Sequence, residues 1–519
     1  MKGTVKKIAA AVLAVLLISA LLLSGCKKEP GSSETEGQTE AVTNSTVITE
    51  PLDPDKVFWI VTEEDRVMNA TVEAITEQFQ EEHPELQINL QILPNNDKDS
   101  EDTSYKAARE IMLDQLRTQI LAGRGPDVFL LPAGGATYEI LFEDVNLAMR
   151  NGLFEDISTY YDADGGLDKD ALVTGVMDGG VLDGQRYILP LRFDIPIAYV
   201  DVAQFEALGG KLSMLEGGIF DLTNQLLATG NPDLISGAYI SYHAMNSFGM
   251  NFWGEVVDYD KRELLLSAEE LAEFAKTLQT VRSANCVAPE EWIQRYYGYS
   301  IPAILTTYLP ELKYWTDYSC MYIGRMRDML DNSAYAKLTG TKIAAIPVAS
   351  AEGTIIADVT YFGAVGYGCK DTAVAYDYLR LYLTEESQIT NNTDSCDNVR
   401  YCGWPVRTGD ALVQLWENRK LEIDRYNRDP KPEWDNETKL LQKEIVKQIF
   451  EEMVIESQDL LLTDFDIDSV QIPISLEREL NRNFFDVLND GSTGIPTEAD
   501  IEALAEEWLN ELEWHLGEG

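Results

Sequence analysis

A chain of 519 residues with a formal charge of −47 would be repelled by a phosphate backbone, which excludes nucleic acid as a partner. The acidity suits solubility in an extracellular medium and says nothing of a ligand. Its three histidines form no H-E-x-x-H pair, and no G-x-S-x-G elbow or P-loop occurs, so zinc-protease, serine-hydrolase and nucleotide chemistry lack a motif. No cofactor, metal site or enzyme activity is expected.

Met1 to Lys7 carries Lys2, Lys6 and Lys7 and no acid, and Ile8 to Leu23 is apolar apart from Ser19. This is the charged and apolar order of a secretory signal. The apolar run, about 16 residues, falls short of the roughly 20 a spanning helix needs. It ends in Leu23-Ser24-Gly25-Cys26, which resembles the bacterial lipobox. That resemblance implies a signal peptide over 1–25, removed before a lipidated Cys26; the competing reading is a signal anchor with an incidental cysteine. A diacylated Cys26 supplies the two chains that stable anchoring needs. Residues 26–56 then form a tether of Gly, Ser, Thr, Pro and Glu, too poor in large apolar residues to fold. Of the remaining cysteines, Cys286, Cys320, Cys369, Cys396 and Cys402, at least one is free, because five is odd. Cys396 and Cys402 could close a small loop, and no CxxC or zinc spacing occurs.

The ~460 residues beyond the tether exceed one hydrophobic core, so two lobes are expected. The body opens with an apolar strand, Val57 to Val61. A helix follows, with Val67, Ala70, Ala74, Ile75 and Phe79 at near-helical spacing, and Pro84 stops it. Gln87 to Leu93 alternates as a strand. A second helix runs from about Tyr105 to Ala122, with Ile111, Leu116 and Ile120 inward, and Asp127 to Leu131 is the next strand. This alternation predicts a parallel sheet. Ligands of open sheets lie beyond the carboxyl ends of the strands, which selects Thr62 to Glu64 and Pro132 to Thr137.

Several segments resemble, in order, those of the family 1, sugar-type extracellular solute-binding proteins of bacterial ABC transporters. They are Phe79-x4-Pro84 with its following strand, Leu121 to Val128 ("aG.gPDv"), Asn151 to Ile157 ("G.l.dl"), Asp183 to Pro190 ("dGk.y.lP") and the crossing strand Ala198 to Val200. Lys342 to Pro347 resembles the return strand, Ala375 to Gln388 the "A..fl.fl.tee.q" helix, and Cys402 to Arg407 the "g..PvR" turn. The resemblance implies an α/β, two-lobed periplasmic-binding-protein-like fold with discontinuous lobes joined by a hinge. By order, lobe 1 is 57–191 and 343–395, and lobe 2 is 192–342 and 396–519. Asn95 to Thr103, rich in Asp and Asn, departs from compact members and reads as a surface loop.

A sugar offers C–H faces to aromatic rings and hydroxyls to planar hydrogen-bonding groups. The candidate ligand-binding residues are accordingly Trp59, Glu63, Gly134, Arg192, Asp194, Trp253, Trp292, Tyr361, Phe362, Trp404 and Arg407. Core packing is the competing reading for each ring. Loop positions favour Trp292, Tyr361, Phe362 and Trp404. Arg192 and Asp194, just after Pro190, could contact solute, lock the hinge or form a surface ion pair. Asp162 to Asp170 has the acids of a calcium loop, but Leu167 and Val173 stand where an EF-hand needs Gly and Glu, so a solvated acidic turn is expected.

The expected function is a lipid-anchored receptor on the extracellular face of the cell membrane. It would bind a carbohydrate or oligosaccharide as a monomer and deliver it to the membrane subunits of an ABC importer. The alternatives are a surface-anchored glycoside hydrolase using paired carboxylates, or a binding protein for a non-sugar solute such as a peptide.

Overall fold

A computed structural model of the chain describes residues 57–64, 68–94, 103–133, 140–240, 256–258, 261–285, 320–325, 342–349, 353, 355–390, 403–407, 469–471 and 497–517. The leader, Cys26, the tether, Cys286, Cys396 and Cys402 lie outside them. Among the described residues, no helix is long and apolar enough to cross a membrane.

The first half of the body builds its sheet as expected. Strand β1 (Val57–Glu63) leads to helix α1 (Met68–Glu82), β2 (Gln87–Leu93), α2 (Thr103–Leu121) and β3 (Val128–Pro132). β1 lies between β2 and β3 and is parallel to both. Both faces of this sheet are covered by helices, which is why β1 and β3 are apolar runs rather than alternating ones. α1 buries Met68, Val72, Ile75 and Phe79, a stripe of helical period. Ala74, expected inward, is exposed one position off that stripe. On α2 the buried phase is Leu113, Leu116 and Ile120, joined by Arg109, while Ile111 is 57 % exposed. Ile111 falls outside the 3–4-residue steps that join those four.

Helices α3 (Val145–Arg150), α4 (Ser158–Ala163) and α5 (Thr174–Asp178) follow, then a hairpin of β4 (Val181–Leu182) and β5 (Gln185–Arg186). Its turn places Asp183 at φ 51° and Gly184 at φ 80°, the left-handed pair of a two-residue hairpin, which Asp-Gly adopts at little cost. Strand β6 (Ile188–Asp194) then enters the first sheet, and after Ile195 alone β7 (Pro196–Asp201) continues into a second sheet.

The second sheet is built from β7, β8 (Ala238–Ile240), β11 (Met321–Arg325) and β12 (Ile343–Pro347). β11 and β12 flank β7 antiparallel, and β8 pairs with β11 in parallel. Between β7 and β8 lie α6 (Val202–Ala207), α7 (Gly218–Ala228) and α8 (Pro232–Gly237); the hairpin β9 (Val257–Asp258)–β10 (Glu263–Leu264) and helix α9 (Ala268–Asn285) precede β11. α9 opens on a reciprocal cap, Ser267 N donating to Glu270 Oε2 at 2.8 Å and Glu270 N to Ser267 Oγ at 3.3 Å.

The chain returns between Pro347 and β13 (Ile356–Val365), continues through α10 (Thr372–Arg380) to β14 (Trp404–Pro405) and β15 (Ser469–Gln471), and ends in α11 (Glu498–Gly517). β13 inserts antiparallel between β3 and β6, giving the order β14-β6-β13-β3-β1-β2, with β15 beside the start of β13. Three assignments therefore differ from the expected ones. β14 and β15, expected in lobe 2 with the rest of 396–519, pair with β6 and β13 and so belong to the first sheet. Arg192 and Asp194 belong to the first sheet, so the outward crossing is at Ile195. The return strand Ile343–Pro347, expected in lobe 1, pairs with β7 in the second sheet, so the return crossing follows Pro347.

Three apolar clusters hold these layers. One face of the first sheet packs Phe129, Phe362 and Ile188 against α2 and α3. The other packs Phe58, Leu130 and Phe193 against α1 and α10, and runs through Ile195 onto Tyr199 and Tyr322 of the second sheet. Those two rings stack at 5.3 Å with no exposed surface, worth about 0.5–1.5 kcal/mol beyond their area. The opposite face of the second sheet is covered by α7, α9 and α11.

Candidate functional site

β1, β3 and β6 are mutually parallel and end at one edge of the first sheet, and the reversed β13 begins there. The pairings fix the place: Tyr361 lies opposite both Pro132 and Arg192, and Asp358 lies opposite Asp194. β6 leaves for the second sheet from this same edge. The carboxyl ends of the strands, where open sheets take ligands, thus coincide with the crossing between the two bodies.

A band of buried polar side chains marks the edge. Thr62, Glu63, Arg109, Arg192, Asp194, Asp358 and Gln388 are all under 5 % exposed. Arg109 grips Glu63 with both terminal nitrogens, at 2.7 and 2.8 Å, and Nη1 also donates to the carbonyl of Pro94 at 2.8 Å. Burial pushes the Glu63 carboxyl above its ordinary value, against the opposing hydrogen bonds and charge of Arg109. The Tyr361 hydroxyl donates to Leu130 O at 3.0 Å and lies 3.1 Å from Thr62 Oγ1. Since a phenol has one proton, Thr62 is the donor in the second bond.

Gln388 is the hub on the far side of β6. Its Oε1 accepts from Arg192 Nη1 at 3.2 Å and from Val406 N at 3.0 Å, and its Nε2 donates to Leu191 O and Tyr382 O. The expected single helix over Ala375 to Gln388 is broken after Arg380 into a 3₁₀ turn, Leu381–Leu383, and a π-helical turn, Glu386–Thr390. The break at Thr384, whose backbone is extended, turns Gln388 onto β6. Gly403 explains the glycine of the "g..PvR" segment. It sits at φ 100°, and a Cβ there would stand 2.8 Å from the carbonyl oxygen of Phe193 and 2.4 Å from Thr360 Oγ1. Only glycine lets β14 dock this closely on β6.

The structure brings six of the candidate residues to this edge or its flank, and separates others. Glu63, Arg192, Asp194 and Tyr361 belong to the band. Trp404 is 5 % exposed and pairs with Phe193, within the core. Arg407, half-buried beside it, donates to Leu383 O at 3.0 Å. Phe362 points to the opposite face of the sheet from Tyr361 and is wholly buried in the α2–α3 cluster. Trp59 sits near the amino end of β1. Its Nε1 donates to Gln91, and its backbone N and O bond Asp127 just before β3. At about 3.3 Å per residue, Trp59 is roughly 13 Å from Glu63 along the strand. Gly134, Trp253 and Trp292 lie outside the described residues.

Asp358, Gln388 and Arg109 were not singled out from sequence. Asp358 carried a signal, as the one acid within the apolar run Ile356 to Val365. Arg109 carried another, being in phase with Leu113, Leu116 and Ile120. The acidic turn after Asp162 is closed on itself. Asp164 Oδ1 accepts from the backbone N of Gly166 and Leu167, and Oδ2 accepts from Tyr376.

No family model matches the chain. No curated protein matches it either. Solved structures do. An extracellular solute-binding protein, family 1, from Alicyclobacillus acidocaldarius is 12 % identical over 89 % of this chain and 98 % of its own, with a TM-score of 0.45. An ABC substrate-binding protein from Listeria monocytogenes, in complex with cycloalternan, is 13 % identical over 89 % and 98 %, at 0.45. A sugar transporter from Rhizobium etli in an open conformation is 13 % identical over 87 % and 99 %, at 0.48. In overall chain course, what this protein is similar to includes extracellular solute-binding proteins of ABC sugar transporters.

Proposed function

We propose that the chain is a solute-binding receptor, held on the outer face of the cell membrane by lipid on Cys26. It captures a carbohydrate or oligosaccharide and delivers it to the membrane subunits of an ABC importer. It works without a cofactor and does not turn its ligand over. The observation that carries the reading is the coincidence of the strands' carboxyl edge with the crossing at Ile195. Two bodies joined by short crossings can swing about them, and a ligand seated at that edge meets both. The ordered segments resembling sugar-type receptors, with the leader ending in Cys26, supply the solute class and the location. Tyr361, Phe362 and Trp404 are buried, which favours Trp253 and Trp292 for ring stacking on the sugar.

A thermal-shift screen over mono- and oligosaccharides, with each sample then assayed for products, tests the reading. A solute at a hundredfold excess over its Kd adds about 2.7 kcal/mol of stability. Scattering should show a smaller radius of gyration with that solute bound, because only a ligand that touches both bodies favours the closed form. Shortened oligosaccharides would point to a glycoside hydrolase. Stabilisation by peptides and by no sugar would overturn the solute class.

A further inference from the structure

Away from the buried band, an ion pair among the described residues joins the two bodies. Arg262 stands in the β9–β10 hairpin, whose Val257 and Leu264 belong to the core of the second sheet. Asp144 stands at the start of α3, whose Val145, Ala148 and Met149 belong to the core of the first. Arg262 Nη1 lies 3.5 Å from Asp144 Oδ2, and the two side chains are only 15 % and 5 % exposed.

Each partner is fixed from behind. Asp144 Oδ1 accepts from Leu147 N at 2.8 Å as the cap of α3, which aims its other oxygen outward from the helix. Arg262 Nε donates to Leu516 O at 2.9 Å, in the last turn of α11, where a cation also meets the negative end of the helix dipole. Arg262 holds φ 56°, a left-handed backbone that costs an ordinary residue about 1–2 kcal/mol and that Asn or Gly would adopt more cheaply. A strained backbone persisting under a side chain with two such contacts points to a role for that side chain.

We infer that Asp144 and Arg262 form a latch between the two bodies. The pair favours the arrangement in which the hairpin rests against α3. It separates when the bodies swing about Ile195 and the segment between Pro347 and Ile356. Opening returns both charges to water, which offsets part of the lost attraction. The bias is therefore small enough to be reversed, as a moving part requires. The inference rests on the two-sheet architecture and not on the identity of the solute, so the test uses unliganded protein.

Asp144→Asn removes the charge and keeps an equally good cap. Arg262→Asn removes the cation and tolerates the left-handed backbone. Each single variant should enlarge the radius of gyration, and the double variant should enlarge it no further, because both changes remove one interaction. Hydrogen exchange gives a second readout. In Asp144→Asn, the peptide covering 258–264 should lose protection by about tenfold, although the substitution lies on the other body. A brace internal to one body would not produce that transfer. An unchanged radius in both single variants, or a loss of protection confined to the substituted body, overturns the latch. Should Arg262→Asn fail to fold, the exchange measured in Asp144→Asn still decides, since its Arg262 is intact.

Discussion

Replacing Arg109 by Met tests whether the buried band is held by charge. The substitution keeps an apolar stem of similar length but removes the guanidinium that makes two hydrogen bonds to Glu63 and one to Pro94 O. Both partners are under 5 % exposed, so the loss should resemble the breaking of a buried pair, about 3–5 kcal/mol, rather than the 0–1 kcal/mol of a surface pair. The cost should depend on pH with a definite sign. Burial already raises the Glu63 carboxyl above its ordinary value, and loss of the cation raises it further. At a pH below the ordinary value, folded and unfolded chains both hold the proton. Only the lost hydrogen bonds then count, about 1–3 kcal/mol. As pH rises through the raised value, the folded chain must carry an uncompensated buried charge, and stability falls. Urea unfolding at pH 4 and pH 8, read by circular dichroism, measures both terms. Adding Glu63→Leu should recover most of the loss, since two apolar side chains replace the pair. A loss under 1 kcal/mol that is the same at both pH values would refute the reasoning.

Two further outcomes follow from the same geometry, and a third from the leader sequence. Trp404→Ala should lower folding stability by about 3–5 kcal/mol, as for a buried tryptophan, visible as a lower urea midpoint before any solute is added; a midpoint unchanged from the parent would place the ring at a surface. Gly403→Ala should destabilise by more than the ~1 kcal/mol typical of a substitution, because its Cβ meets the backbone of Phe193, and a stabilised variant would contradict the docking of β14. Cys26→Ser should release the protein into the medium with its melting temperature unchanged, and retention on membranes after a high-salt wash would rule out lipid attachment.

Local order was legible where period and punctuation agree. The alternation from β1 to β3 follows from apolar runs set apart by Pro84 and the glycines at 123 and 125, and the Asp183-Gly184 turn follows from the conformational preference of two residues. What lay beyond reach was pairing between distant segments. β12, an apolar run ending in proline, suits either sheet, and only its register against β7 decides. The direction in which β13 enters between β3 and β6 leaves no local trace. The candidate aromatics show the same limit. Tyr361 and Phe362 are adjacent, and a strand sends them to opposite faces, into two different cores. Gln388 escaped notice because its place depends on a helix breaking at Thr384, within a stretch that reads as one continuous helix.

The insertion of β13 also governs how the protein can be made. Thr62 and Tyr361, hydrogen-bonded across the first sheet, are 299 residues apart. At about 5–20 residues per second, the ribosome needs roughly 15–60 s to supply the second after the first. Through that interval β3 has no partner on one side. An open strand edge of this kind is a template for pairing with other chains, and pairings so distant in sequence also form slowly. A nascent chain ending anywhere before Ile356 therefore cannot complete the first sheet, however well its individual helices and hairpins form.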